Sequence, residues 1–159
     1  MDKLVKLLYE NARYSVSDLA TMLETTEDDI ASRIKKLEDE GIINGYKALV
    51  NWEKTNDKRI TAMVELKVTP QPDAGYEDLA KKIMKFEEVE TLYLMSGGYD
   101  FLVTVNGKDL QSVAMFVSHT LAPIDGVIST TTHFMLRNYK QLGVDICYDK
   151  HDDRGILSF

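Results

Sequence analysis

The fold is decided by residues 25–46, TTEDDIASRIKKLEDEGIINGY. Apolar side chains recur here at intervals of four and three, and they are Ile30, Ile34 and Leu37. This period predicts an amphipathic helix from about Thr26 to Glu40. Thr25 and Asp28 have the hydroxyl-to-acid spacing of a capping box at its start. Gly41 is typical of a helix end.

Two shorter apolar patterns precede this helix and predict two more helices. They are Leu4, Leu7 and Leu8, followed by Leu19, Met22 and Leu23. Ser15 and Asp18 fit a capping box at the start of the second helix. Only a few residues then separate the second helix from the third, which predicts a helix-turn-helix. Residues 43–46 could add a wing or a connecting strand, and we expect this N-terminal domain to cover residues 1–56.

From residue 60 the apolar period changes to two, which predicts a β-strand that Pro70 and Pro72 end. The remaining apolar patterns give the order β-α-β-β-α-β, typical of a ferredoxin-like domain, here residues 57–159. The predicted fold class is therefore α+β, and the uncovered sheet face invites dimerisation. The polar stretch from Tyr148 to Phe159 is predicted to be a mobile tail, although its apolar residues Ile156, Leu157 and Phe159 could dock on a neighbour.

The composition and charge of the chain limit the classes of function that it can have. The chain has 159 residues, one cysteine and a formal charge of -7, and it contains no apolar run of eighteen residues. We therefore expect a cytoplasmic protein without internal disulfides or membrane spans. No metal or cofactor is expected either, because no motif in the chain has the spacing of such a site. The negative charge argues against general affinity for nucleic acid, because Lys and Arg supply most of that affinity.

Three motifs carry a resemblance to a known family. They are RIKKLEDEGIINGY at 33–46, SGGYD at 96–100 and GVISTTT at 126–132. With the order of the two domains, they resemble the Lrp/AsnC (leucine-responsive, feast/famine) family of prokaryotic transcription regulators. The resemblance implies a DNA-binding N-terminal domain and a C-terminal domain that oligomerises and binds an amino-acid effector. The expected partners are an operator duplex, an amino acid and further copies of the chain, as a homodimer that assembles into an octamer.

The candidate DNA contacts lie mainly on the third helix, with Arg13 near the end of the first helix as a possible phosphate contact. They are Arg13, Thr26, Asp28, Ser32, Arg33, Lys35 and Lys36. Arg33 and Lys36 are the best positive candidates, because they are three residues apart on one side. The acids at 27–29 oppose phosphate, and residues 1–60 hold ten Lys and Arg against twelve Asp and Glu, a net of -2. These acids either complement the helix dipole, which we favour, or accept from cytosine N4.

The candidate effector residues come from two places. They are Gly97, Gly98, Tyr99 and Asp100 in the central hairpin, with Thr130 and Thr132 in the last strand. An amino acid needs N–H or hydroxyl donors for its carboxylate and an acceptor for its ammonium group, and this set offers both. From the residues alone a simple hairpin turn explains Gly97-Gly98, whereas the resemblance favours a pocket. The two places lie toward opposite sheet edges, which suggests a site shared between subunits.

Two other functions compete with the regulator. Siroheme decarboxylases resemble this two-domain architecture and rely on histidine-rich motifs. Here His119, His133 and His151 are widely separated and have no acids at metal-ligand spacing, so we expect no enzyme. The other alternative is an amino-acid sensor that does not bind DNA, for which the acidic third helix is the only argument.

Overall fold

The computed structural model describes residues 2–57, 59–69 and 75–147. The chain divides into two compact units, Met1–Ala48 and Leu49–Phe159, so the division falls before the boundary expected near residue 56. Residues 51–57 belong with the second unit, because the Asn51 side-chain amide donates to the Ile146 carbonyl at 2.9 Å. The Arg59 guanidinium also lies 3.6 Å from the Trp52 ring centroid. Pro70, Pro72, His151 and the predicted tail at 148–159 lie outside the described residues.

The first unit consists of three helices, α1 (Lys3–Glu10), α2 (Val16–Met22) and α3 (Glu27–Asp39), as predicted. Their apolar stripes meet in one core, and the buried residues of this core are Leu4, Leu8, Leu19, Ala20, Ile30 and Leu37. None of these helices is long enough to be stable alone in water, so this shared core holds each of them in place.

The capping box predicted for α2 is confirmed. The Asp18 N–H donates to the Ser15 hydroxyl at 3.0 Å, and the Ser15 N–H donates to the Asp18 carboxylate at 3.0 Å. The predicted end of α3 is also confirmed. Gly41 adopts the left-handed conformation with φ +67°, and the Ile42 N–H beyond it donates to the Leu37 carbonyl at 2.9 Å. These contacts use backbone groups that a helix end leaves unpaired.

The capping box predicted for α3 is wrong by one residue. The Thr26 hydroxyl, not that of Thr25, caps the helix by accepting from the Asp29 N–H at 3.2 Å. The Thr25 N–H instead donates to the Ala20 carbonyl at 3.0 Å. Thr25 is therefore held at the end of α2 and cannot start α3, and Asp28 takes no part in the cap.

The predicted wing is also wrong, because residues 43–50 form no strand. A wing needs a hairpin, and the turn signal at Asn44-Gly45 serves another purpose. The Asn44 side chain donates to the Gly41 carbonyl at 2.8 Å and so satisfies a group at the end of α3. The Tyr46 hydroxyl donates to the Glu38 carboxylate at 3.1 Å. The segment is therefore attached to α3 by side chains rather than by strand pairing.

The second unit has the predicted β-α-β-β-α-β order. Its elements are β1 (Ile60–Val68), α4 (Glu77–Ile83), β2 (Val89–Leu94), β3 (Phe101–Gly107), α5 (Leu110–Phe116), which continues as a π-helical turn over Val117–Leu121, and β4 (Val127–Phe134). The four strands pair antiparallel in the order β2-β3-β1-β4. This is the ferredoxin-like topology expected from the sequence. A short hairpin, β5 (Lys140–Gln141) with β6 (Val144–Asp145), follows and was not predicted.

The core of the second unit lies on one face of the sheet. Its central members alternate along β1 and β3 and are Ala62, Val64, Leu66, Val68, Phe101, Val103 and Val105. Leu79, Ile83, Val113 and Phe116 of α4 and α5 pack against them. The opposite face, here called the outer face, carries Met63, Glu65, Leu102, Thr131 and His133, and none of these is buried.

Candidate DNA-reading helix and effector loop

The outward face of α3 carries three of the candidate DNA contacts. Asp28, Ser32 and Lys35 are exposed and follow one another at intervals of four and three residues. At 3.6 residues per turn they lie opposite the buried Ile30 and Leu37. The helix therefore presents a carboxylate, a hydroxyl and an ammonium group on one accessible stripe, and all three can exchange hydrogen bonds with base edges or phosphates.

Arg33 and Lys36 lie on the flank of α3, where carboxylates already bind them. Arg33 Nη2 is 2.9 Å from Asp2 Oδ1, and its Nη1 is 3.5 Å from Asp29 Oδ2. Lys36 Nζ is 3.8 Å from Glu40 Oε1. Reasoning from the sequence missed Asp2, because 31 residues separate it from Arg33 and no local pattern links them. Arg33 and Lys36, which the sequence indicated as the best positively charged DNA contacts, are thus both paired with carboxylates.

The two remaining DNA candidates have different positions. Thr26 is the N-cap of α3, and its hydroxyl is engaged by a backbone N–H of the helix. Arg13 lies in the turn after α1 rather than at the end of the helix, since α1 stops at Glu10. Its N–H donates to the Asn11 side chain at 3.0 Å, and Arg13 is exposed. Thr26 therefore shapes the helix, while Arg13 stays accessible.

The loop between β2 and β3, residues 96–99, is here called the effector loop. It is closed by the Met95 N–H, which donates to the Asp100 carbonyl at 2.8 Å. Within the described chain, none of the four N–H groups from Ser96 to Tyr99 donates to a protein acceptor. Gly97 and Gly98 both have negative φ, and an added Cβ on either would meet no atom of the described residues within 4 Å. Neither the turn nor the packing of the described chain requires glycine at these positions.

Asp100 attaches the effector loop to the end of β1. Its carboxylate accepts from the Val68 N–H at 2.8 Å and from the Tyr76 hydroxyl at 3.2 Å, while its own N–H donates to the Leu66 carbonyl at 2.9 Å. The hydrogen bond to Asp100 raises the pKa of Tyr76 above its ordinary value. Tyr76 is a residue of this site that the sequence did not indicate. Among the described residues each carboxylate oxygen of Asp100 accepts one side-chain or backbone hydrogen bond, which leaves it the capacity to accept another from a ligand.

Thr130 and Thr132 lie on one face of β4, as the sequence predicted. They pair with Leu66 and Val64 of β1, so their side chains share the core side of the sheet and are half-buried there. Leu66 also pairs with Phe101, so β1 lies between Thr130 and the start of β3. Two strand spacings make that separation roughly 10 Å. One chain therefore holds the two halves of the candidate site at the same end of the sheet without joining them.

The two described histidines, His119 and His133, lie on different elements and do not form a site together. His133 lies on the outer face with Nε2 3.1 Å from Glu65 Oε1, and His119 lies on the π-helical turn after α5. The described residues contain no cluster of three His, Cys, Asp or Glu side chains that could hold a metal ion. Nor does any helix in that part of the chain have the length and apolar character needed to cross a membrane.

Both units match protein families. Residues 2–38 match the AsnC-type helix-turn-helix domain, and residues 61–144 match the Lrp/AsnC ligand binding domain. The chain belongs to the Lrp/AsnC family. Lrp/AsnC proteins are transcriptional regulators with a helix-turn-helix DNA-binding domain, so the function implied by the three sequence motifs is confirmed, as is the α+β fold.

Individual Lrp/AsnC proteins agree with this assignment. An uncharacterized HTH-type transcriptional regulator, YugG of Bacillus subtilis, is 40% identical over 157 residues, which are 98% of this chain and 95% of the relative. The leucine-responsive regulatory protein of Haemophilus influenzae is 30% identical over 140 residues, covering 87% and 83%. The transcriptional regulator NMB0573 of Neisseria meningitidis, solved as an L-Met complex, has a TM-score of 0.70 at 28% identity and covers 89% and 93%.

Proposed function

We propose that this Lrp/AsnC regulator reads operator DNA with the outward face of α3 and responds to a free amino acid bound at the effector loop. The proposal rests chiefly on the four N–H groups from Ser96 to Tyr99, which have no acceptor among the described residues. Two of them belong to Gly97 and Gly98, where the described part of the fold does not require glycine. Glycine at such positions leaves room for another molecule to approach the backbone closely.

The chemistry of the loop fits an α-amino acid. Consecutive backbone N–H groups can donate to a carboxylate, which is the anionic half of the ligand. Asp100 lies directly after these donors, and its remaining lone pairs can accept from the ammonium group. The complex of NMB0573 with L-Met supports the same class of ligand. Which side chain this regulator selects depends on surfaces beyond the effector loop.

The effector site is shared between subunits in this proposal. Within one chain Thr130 is about 10 Å from Phe101, where the effector loop ends, and Thr132 is two residues further from that end of the sheet. This separation is too large for the small polar end of one amino acid to bridge. A second copy of the chain would complete the site, in a homodimer that assembles further into an octamer. Ligand binding then stabilises the assembled form, because the ligand contacts only that arrangement. Tight effector binding, measured by calorimetry on a monomeric variant, would rule out sharing.

We also propose that the protein is not an enzyme. Its relatives are named transcriptional regulators, and His133 is bonded to Glu65 on the outer face instead of standing in a pocket. Reconstitution with siroheme tests the competing function, since an absorption band from bound tetrapyrrole would support a decarboxylase and contradict our proposal.

A thermal-shift screen with each of the twenty amino acids tests the effector. A ligand that binds only the folded protein raises its stability, by about 2.7 kcal/mol at one hundred times its dissociation constant. We expect one amino acid, or a few of similar shape, to raise the unfolding midpoint. An electrophoretic shift with the duplex upstream of its own gene tests DNA binding separately. A shift absent with and without effector would favour the sensor that does not bind DNA.

A further inference from the structure

Arg33 is an unusual residue for a helix proposed to read DNA. It is positively charged, but two carboxylates already bind it. We propose that Arg33 is a positioning residue, which sets the orientation of α3 on α1, and that it does not contact DNA phosphate. The proposal rests on the DNA-reading role of α3 given above and identifies which of its cations meets the backbone.

Three segments of the first unit meet at the Arg33 guanidinium. Asp2 is the N-cap of α1, and its Oδ1 accepts both from the Leu4 N–H at 3.0 Å and from Arg33 Nη2 at 2.9 Å. Asp29 Oδ2 accepts from Arg33 Nη1 at 3.5 Å and from the Thr25 hydroxyl at 3.1 Å. The planar guanidinium thus connects the start of α1 with the first turn of α3, which its several N–H donors allow, and Asp29 extends the network to Thr25 in the turn between α2 and α3.

The surroundings of Arg33 strengthen this connection. It lies in a groove whose apolar walls are Val5, Leu37 and Ile42. The Arg33 side chain is 35% exposed, whereas that of Lys36 on the same flank is 73% exposed. An ion pair that is partly shielded from water and hydrogen-bonded at a fixed geometry is stronger than one on the open surface. A phosphate approaching Arg33 would have to displace Asp2 and would be repelled by both carboxylates.

Lys35 is the natural counterpart. It is exposed on the outward stripe with Asp28 and Ser32, and no carboxylate of the described residues lies within ion-pair distance of it. Lys35 can therefore release counterions by binding a phosphate, which Arg33 cannot do without losing its own partners. Arg33→Gln and Lys35→Gln form a matched pair, because each removes one positive charge from the same helix.

The test measures the affinity of the full-length protein for the duplex upstream of its own gene over a range of salt concentrations. Each lost phosphate contact reduces the slope of log K against log salt by about 0.9. We expect Lys35→Gln to reduce the slope by about this amount. Arg33→Gln is expected to lower the affinity by about three- to tenfold with an unchanged slope. A slope reduced equally by Arg33→Gln would overturn the proposal.

The variant Asp2→Asn distinguishes a positioning role of Arg33 from a phosphate contact that Asp2 prevents. The comparison is possible because asparagine caps a helix as well as aspartate does, so the N-cap of α1 is kept. If Arg33 positions α3, Asp2→Asn weakens DNA binding, and adding it to Arg33→Gln has little further effect. An increased affinity of Asp2→Asn would show instead that Arg33, once released, binds phosphate. If no variant and not even the native protein binds DNA, the proposed function fails on its own. The positioning role is then decided by unfolding midpoints, where additive effects of Asp2→Asn and Arg33→Gln would overturn it.

Discussion

Replacing Gly98 with valine should remove effector binding and leave the fold intact. Gly98 has negative φ, and a Cβ added there meets no atom within 4 Å in the part of the chain that the structure describes. The larger side chain therefore costs no backbone strain and no overlap, and it reduces the freedom of the unfolded chain. We expect the free energy of unfolding to change by less than about 1 kcal/mol.

The effect on the ligand is much larger. The valine side chain would occupy the space above the free N–H groups of the effector loop, where the carboxylate of the effector is proposed to bind. The native protein at one hundred times the dissociation constant gains about 2.7 kcal/mol. For a chain of this length 1 kcal/mol corresponds to about 2–4 °C, so an increase of roughly 5–11 °C in the unfolding midpoint should be lost in Gly98→Val.

Gly107→Ala is the control, because it should lower the stability of the protein and leave effector binding unchanged. Gly107 ends β3, and a Cβ added there would lie 2.7 Å from both Ser112 Oγ and Val113 Cγ2 of α5. Such overpacking costs about 1–3 kcal/mol, yet the effector loop is unchanged, so the shift caused by the ligand should persist. The reasoning is refuted if Gly98→Val keeps the ligand shift, or if it destabilises the ligand-free protein as much as Gly107→Ala does.

Three further predictions concern the first unit. Ser15→Ala should lower the free energy of unfolding by about 1 kcal/mol in urea titrations, whereas Ser15→Asn should retain most of it, because asparagine also caps; equal losses would contradict the cap. The hydrogen bond from the Ser15 side chain lowers the pKa of Asp18 below its ordinary 3.8. The stabilisation from Asp18 is therefore complete above that pH and is lost as the pH falls through the lower folded pKa, so acid unfolding should be less steep in Asp18→Asn. The isolated unit Met1–Ala48 should show little specific binding to operator DNA, because one head makes few phosphate contacts, and nanomolar binding at physiological salt would disprove this.

Local periodicity was enough to predict the fold. Apolar residues recur every three or four positions up to Leu37 and every second position from Ile60, and each pattern marks one face that must be buried. Few packing arrangements of helices and strands bury all of these faces. Where two local patterns overlap, sequence cannot choose between them. Thr25 and Thr26 are both followed by an acid after three residues, and only the bond from the Thr25 N–H to the end of α2 decides which one caps α3.

The candidate site was harder to predict, because its side chains contact residues that are distant in the sequence. The partner of Arg33 is Asp2, and the partner of Asp100 is Tyr76, each brought close by the packing of separate elements. The missed hairpin β5–β6 did have a local signal. Its turn is Leu142-Gly143, with φ of 47° and 83°, and glycine as the second residue of a two-residue hairpin turn is typical of turns that need positive φ.

The acidic character of α3 agrees with a regulator whose binding to DNA is controlled by oligomerisation. Asp29 is engaged with Arg33, whereas Glu27 and Asp28 remain exposed where DNA is proposed to approach, so one DNA-binding head gains little from phosphate contacts. Heads that bind weakly become effective when several are linked, because the bound ones raise the local concentration of the others. A regulator of this kind responds steeply to any ligand that changes its assembly. An effector bound between subunits therefore needs to alter no part of α3 in order to change occupancy of the operator.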